Sequence, residues 1–159
     1  MDKATYGTKV SESWNELCRI TLCITRNRSD AEDAVSQAVL NCYEALPRLR
    51  SESFFRTWLT RACINEARSI LRKRRRVELR EELPAPGQTP QIGEITLDDL
   101  LCRLPEHERL PLMLTYACGM RVDELARTLG VPRGTAASRV SRARKKLRLI
   151  LEQEGFPHE

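Results

Sequence analysis

The sequence predicts an all-α protein, built as two small helical modules joined by a flexible linker. Apolar residues recur at three- and four-residue spacing along most of the chain, the period of a helix with one buried face. No strand-like alternation and no Asn-Gly turn appears. One stretch, from about Glu81 to Thr96, changes character. It holds Pro84, Pro86, Gly87, Pro90 and Gly93 with Glu81, Glu82 and Glu94 and no Lys or Arg, the composition of an unpacked tether. The expected boundaries are 10–77 for the first module, 78–96 for the linker and 97–152 for the second.

The first helix is expected from a capping box at Ser13-x-x-Glu16 to about Asn27, with Trp14, Leu17, Ile20 and Ile24 as its apolar stripe. Ser29-x-x-Glu32 is a second capping box. Behind it Ala31, Val35, Ala38, Cys42 and Leu46 repeat at helical spacing until Pro47. A loop from Pro47 to about Ser53 leads to a third helix, Phe54 to Arg76. That helix buries Phe55, Trp58, Leu59, Ala62, Cys63 and Ile70 and ends in the basic run Arg72 to Arg76. In the second module Asp98, Asp99, Leu100, Leu101 and Leu104 lead to Pro105. Pro105 opens a helix that Gly119 closes after Cys118, with Pro111 expected to kink it or delay its start. A short helix buries Val122, Leu125, Ala126 and Leu129. Gly130-Val131-Pro132 turns the chain into a last helix from about Arg133 to Leu151.

Composition bounds the function. The chain has 159 residues, 41% of them apolar and 5% aromatic, so its core is aliphatic; a net charge of +5 favours an anionic partner. No apolar run reaches the roughly 18 residues of a membrane span, and the polar N-terminus lacks the apolar segment of a signal peptide, so the expected place is the cytoplasm. The six cysteines (Cys18, Cys23, Cys42, Cys63, Cys102, Cys118) form no C-x-x-C pair, and neither His107 nor His158 is spaced to complete a zinc site. They read as free, mostly buried thiols. No metal or other cofactor is expected. No phosphate loop, paired catalytic acids or Cys–His nucleophile is present either, so no enzyme activity is expected.

The stretch Val122 to Leu147 has the grammar of a helix-turn-helix, whose second helix can enter a major groove. On that helix Ala136, Val140, Ala143 and Leu147 face inward. Ala137, Ser138, Ser141, Arg142 and Lys145 project elsewhere, and Arg139, Arg144, Lys146 and Arg148 add charge suited to phosphates. A solvated basic face on a three-helix bundle would look similar.

The segments Leu104-Pro105, Gly119, Glu124-Leu125-Ala126, Leu129-Gly130-Val131, Gly134-Thr135 and Ser138-Arg139-x-x-Arg142-Ala143-Arg144-Lys145 resemble region 4 of the extracytoplasmic-function sigma factors, the helix-turn-helix that reads the −35 promoter element. Earlier in the chain Asp30-Ala31-Glu32-Asp33-Ala34-Val35, Ala45-Leu46, Ser53 through Arg61, Asn65 and the basic run resemble sigma region 2, a helical bundle. The two come in the family's order and cover nearly the whole chain. The resemblance implies a subunit that binds core RNA polymerase at its clamp and flap and directs promoter-specific transcription initiation. It implies core contacts at Asp30, Glu32, Asp33 and Gln37, and −10 DNA contacts at Arg56, Arg61, Asn65, Arg68 and Arg72. The −35 contacts would be Arg133, Thr135, Ala137, Ser138, Arg139, Ser141, Arg142 and Lys145. Promoter DNA would be met both as duplex and as melted single strand, with a flipped base at the Pro47–Ser53 loop, and an anti-sigma factor is a further candidate partner. Where the family usually has Gln-Glu and then an aromatic, this chain has Ser36-Gln37 and Val39, one acidic contact fewer.

The chemistry fits those roles. Aromatic platforms and positive charge hold single strands, and Asn can pair with a base edge. Asn65 also reads as an ordinary solvated helix residue, and Trp58 as a core aromatic. Two other functions fit parts of the sequence: a stand-alone helix-turn-helix regulator, and a DNA recombinase. The second would need a nucleophilic Ser or Tyr among clustered arginines, a setting that Tyr6, Tyr43 and Tyr116 lack.

Overall fold

The computed structural model describes residues 1–81 and 95–156, and every regular element in them is helical. Three long helices form the first module: α1 (Lys3–Thr25), α2 (Arg28–Glu44) and α3 (Phe55–Glu81). Single 3-10 turns at Leu46–Arg48 and Glu52–Phe54 carry the chain from α2 to α3. The second module holds α4 (Leu97–Leu101), α5 (Glu106–Tyr116), α6 (Val122–Leu129) and α7 (Arg133–Gln153).

Several boundaries depart from expectation, each for a local reason. Helix α1 starts ten residues before Ser13, because Asp2 caps it by accepting from the Thr5 amide at 2.7 Å. The apolar stripe therefore extends back through Val10 to Tyr6, whose hydroxyl donates to the Val39 carbonyl at 2.7 Å and whose ring meets Phe55 edge-on. Asn27, not Ser29, caps α2, its side chain accepting from the Asp30 amide. Helix α2 ends at Glu44, before Pro47, which sits inside the following 3-10 turn. Helix α3 runs past the basic tract to Glu81, so residues 78–81 belong to the helix and not to the tether. The expected tether falls mainly on 82–94, outside the described residues. At its far end Thr96 and Asp99 form a reciprocal capping box that starts α4. Pro111 lies within α5, buried, without ending it.

The turn between α6 and α7 is as expected. Gly130 adopts the left-handed conformation, φ 66°, where a side chain would be strained, and its amide satisfies the end of α6.

The two modules share a core. Tyr6, Leu17, Val35, Phe55, Leu59 and Cys63 pack within the first module alone. Ile20, Cys23, Ile24, Ile64 and Ala67 of the first module instead form one continuous cluster with Leu110, Leu114, Met120, Leu125, Val140 and other residues of the second. Helix α1 packs on α5 and α3 on α6.

Candidate polymerase and nucleic-acid interfaces

The solvent face of α2 carries Glu32, Asp33, Ser36, Gln37, Leu40 and Asn41. Asp33 is exposed, and no side chain among the described residues pairs with it. Glu32 takes an exposed hydrogen bond from Arg28 Nε at 3.2 Å. Gln37 donates to Asn41, which donates to Glu66 of α3, so its orientation is set by a chain of bonds across the two helices. Asp30 departs from expectation. It is 7% exposed, turned toward α3, and its Oδ1 accepts from Arg74 at 2.8 Å while Oδ2 is buried without a partner. The Asp-Ala-Glu-Asp motif thus splits. A helix turns 100° per residue, so positions 30 and 33 fall 60° apart, enough to place one at the seam and one in water.

Helix α3 presents Arg61 and Asn65, both exposed and one turn apart. With Phe54, Thr57, Trp58 and Ala62 of the first module, and Arg127 of α6, they line an open groove. Trp58, on the apolar stripe, is half-buried and packs against the first-module core, and it also lines the groove on the side of Asn65, because seven residues are close to two full turns. Leu59 is the residue that fills the core. Arg72 is exposed.

Arg56 and Arg68 are engaged within the protein. Arg56 pairs with Glu16 at 2.9 Å and with Glu124 of α6 at 3.3 Å, and donates to the Cys118 carbonyl. Burial works against its charge, but Glu16 and then Glu124 outweigh it and hold the guanidinium above its usual range. Arg68 grips Glu106, the first residue of α5, from Nε at 2.9 Å and from its terminal amine at 2.7 Å.

On α7 the expected inward stripe holds. Ala136, Val140 and Ala143 are buried and Leu147 packs against them. Ala137, Ser138, Ser141, Arg142 and Lys145 are exposed together, with Thr135 and Arg139 half-buried beside them. Arg133 pairs with Asp123 at 2.8 Å on the surface. Arg144 lies over the Tyr116 ring, and Lys146 reaches the buried Glu108 at 2.8 Å.

Sequence reasoning missed the residues that join the modules: Glu106, Arg109, Glu124 and Arg127. Their charges look like ordinary surface charge in sequence. The one available signal was Arg109, which directly precedes the apolar run Leu110 to Leu114.

All six cysteines are free thiols, four buried and two half-buried. Burial pushes the Cys42 and Cys118 thiols up to about 11, and Cys63 higher still. Among the described residues no group of His, Cys, Asp and Glu could hold a metal ion, and no helix is long and apolar enough to cross a membrane. His158 lies outside the described residues.

Known proteins share both halves of this architecture. The model of sigma-70 region 2 matches residues 13–77, and that of sigma-70 region 4 matches residues 95–147. The sigma factor EcfG of Rhodopseudomonas palustris is 32% identical over 84% of this chain and 78% of its own length. The chain belongs to the extracytoplasmic-function RNA polymerase sigma factors. The sigma factor SigM of Mycobacterium tuberculosis is 29% identical over 94% of the chain and 79% of its own. As a sigma factor, the protein directs transcription initiation by RNA polymerase, and the match to region 2 leaves the stand-alone regulator without support. Among solved structures, the sigma factor RpoE of Bartonella quintana, in complex with the anti-sigma factor NepR, gives a TM-score of 0.79 at 24% identity. The match covers 93% of this chain and 97% of that one. CnrH, in complex with the cytosolic domain of CnrY, gives 0.75 at 24%, covering 97% and 92%. Both similarities span the two modules, so the fold is shared across both.

Proposed function

We propose that the sigma factor divides its work among three surfaces. In residues 10–77 the exposed face of α2 meets the polymerase clamp, with Asp33 at its centre and Glu32 and Gln37 beside it. Asp30, buried against Arg74, supports that helix from behind. The groove on α3 takes the melted −10 strand: Asn65 meets a base edge, Phe54 and Trp58 offer stacking surfaces, and Arg61, Arg68, Arg72 and Arg56 hold phosphates. In residues 97–152 helix α7 enters the −35 major groove through Ser138, Ser141, Arg142 and Lys145, flanked by Arg133, Thr135, Ala137 and Arg139, and the same module meets the flap. Residues 78–96 join the two.

The observation that carries this reading is the groove itself: an exposed Asn one turn from an exposed Arg, on the same wall as two aromatic rings. The protein works in the cytoplasm and carries no catalytic centre of its own. The complexes of RpoE with NepR and of CnrH with CnrY support an anti-sigma factor as a further partner. Photo-crosslinkers placed at positions 65 and 142 in the holoenzyme test the assignment. Crosslinks to the −10 single strand and to the −35 duplex, respectively, are expected; a reversed or absent pattern contradicts it.

A further inference from the structure

Arg74 is the member of the basic run that turns away from solvent. Arg72, Lys73, Arg75 and Arg76 are exposed, whereas Arg74 is half-buried and donates from a terminal amine to Asp30 Oδ1 of α2 at 2.8 Å. The apolar anchoring of α3 stops just before the run. Ile70 and Leu71 pack against the core, and no residue from 72 to 80 is buried. Among the described residues, the Arg74–Asp30 pair is also the only side-chain bond from 72–80 to another helix. Without it these last turns would stand as a short helix on its own, which is marginal in water. Like charges three and four apart, Arg72 with Arg75 and with Arg76, weaken it further.

The pair also fixes which way the run faces. Arg61, Asn65, Arg68, Arg72 and Arg76 follow one another at three- and four-residue spacing, so they form one stripe along α3, with Arg75 beside it. Arg74 lies two residues past Arg72, about 200° round the helix, on the side that meets α2. We propose that Asp30 is a positioning residue for promoter binding: through Arg74 it holds the last turns of α3 in one helical phase, with Arg72, Arg75 and Arg76 aimed at the phosphates of the DNA adjoining the −10 strand. The proposal rests on the −10 assignment above. From Asn65 to Arg76 the helix rises about 16 Å, which spans roughly five base-pair steps of duplex. Stability alone does not call for the pair. Asp30 is 7% exposed and its Oδ2 is buried without a partner, an unfavourable arrangement that apolar residues of similar size would avoid. What an apolar pair would lack is direction: the bond ties one position of a charged helix end to one point on α2.

The test is binding of assembled holoenzyme to two probes over a range of salt: a −10 single strand, and the same strand joined to its adjoining duplex. The variant is Asp30→Asn. It removes a negative charge and no cation, so on net charge alone it would bind DNA more tightly. Positioning predicts the opposite on the joined probe. Affinity should fall, and the slope against log salt should drop by at least about 0.9, one phosphate contact. Binding to the single strand alone should match wild type. Hydrogen exchange on the free chain should quicken at residues 72–80 and stay unchanged at 55–70. If Asp30→Asn does not fold, Arg74→Gln is compared with Lys73→Gln, an equal charge change at an exposed neighbour. The Arg74 variant should then lose more of the slope, although Arg74 faces α2. Equal or tighter binding of the joined probe by Asp30→Asn, unaltered exchange at 72–80, or an equal loss on both probes overturns the proposal. A parallel arm uses Arg72→Ala/Arg76→Ala with Asp30 intact. If its slope on the joined probe is undiminished, the basic run binds no phosphate, and the DNA assignment fails independently of Asp30.

Discussion

Arg109 Nε lies 2.9 Å from the backbone carbonyl oxygen of Cys23, with the arginine in α5 and the cysteine in the last turn of α1. A second amine of the same guanidinium donates to the Leu104 carbonyl at 2.8 Å. Carbonyls in a last helical turn have no partner within the helix, and the helix dipole favours a cation there. At 6% exposure, Arg109 is a buried charge that answers those needs across the two modules.

Arg109→Met keeps much of the apolar stem and removes both bonds. Hydrogen bonds to charged groups contribute about 1.5–3 kcal/mol each, so the variant should lose at least about 2 kcal/mol of stability. Chemical denaturation reads the loss. An unchanged midpoint would mean that the modules are held without this contact.

Asp30 and Asp33 should behave oppositely, although the sequence presents them as one motif. Asp30→Ala deletes a buried carboxylate bonded to Arg74 and should cost about 1–3 kcal/mol of stability. Asp33→Arg changes an exposed side chain and should leave stability within about 0.5 kcal/mol. It should nevertheless weaken co-elution with core polymerase. Full core binding by Asp33→Arg would remove α2 from the clamp interface.

The thiols supply a pH-dependent check on burial. Cys42 and Cys118 are pushed up to about 11, so near pH 8 they are almost wholly protonated and unreactive. Their alkylation should rise about tenfold per pH unit below that value. In free protein without DNA, Cys42, Cys63 and Cys118 should all react more slowly than the half-buried Cys18 and Cys102. Mass spectrometry of a timed alkylation ranks the sites, and a fast Cys63 would contradict the packing of the first module.

Helix α7 predicts salt-dependent binding to −35 duplex. Each phosphate contact adds about 0.9 to the slope of log affinity against log salt. Arg142→Ala should lower the slope by about one contact if it binds a phosphate. A loss confined to the preferred sequence would make it a base reader, worth about 1–3 kcal/mol of discrimination. Affinity independent of salt would contradict either role for this face.

The helical class, the paired modules and the α6–α7 turn were legible because each rests on local chemistry: helical periodicity, a left-handed glycine, and a proline at a helix start. Asn65 and Arg61 were legible as neighbours for the same reason, being one turn apart. The start of α1 was misplaced because two capping patterns compete, and Asp2 extends a stripe that Tyr6 and Val10 continue. Trp58 was legible as a core aromatic, and it packs against the first-module cluster; its second place on the groove wall was not, because an aromatic on a stripe edge can face both. The meeting of Arg56 with Glu124, 68 positions apart, was not legible at all, because it is fixed by apolar packing between modules rather than by any local pattern.

The most direct test of the account is run-off transcription by core polymerase with this sigma factor over a promoter library randomised at the −10 element, comparing wild type with Asn65→Ala. The account predicts that wild type ranks the promoters sharply. The variant should transcribe the preferred promoters less and flatten the ranking, with each lost base contact worth about 1–3 kcal/mol of discrimination. An unchanged rank order and spread in the variant would show that Asn65 reads no base and that the groove on α3 is not the −10 reader.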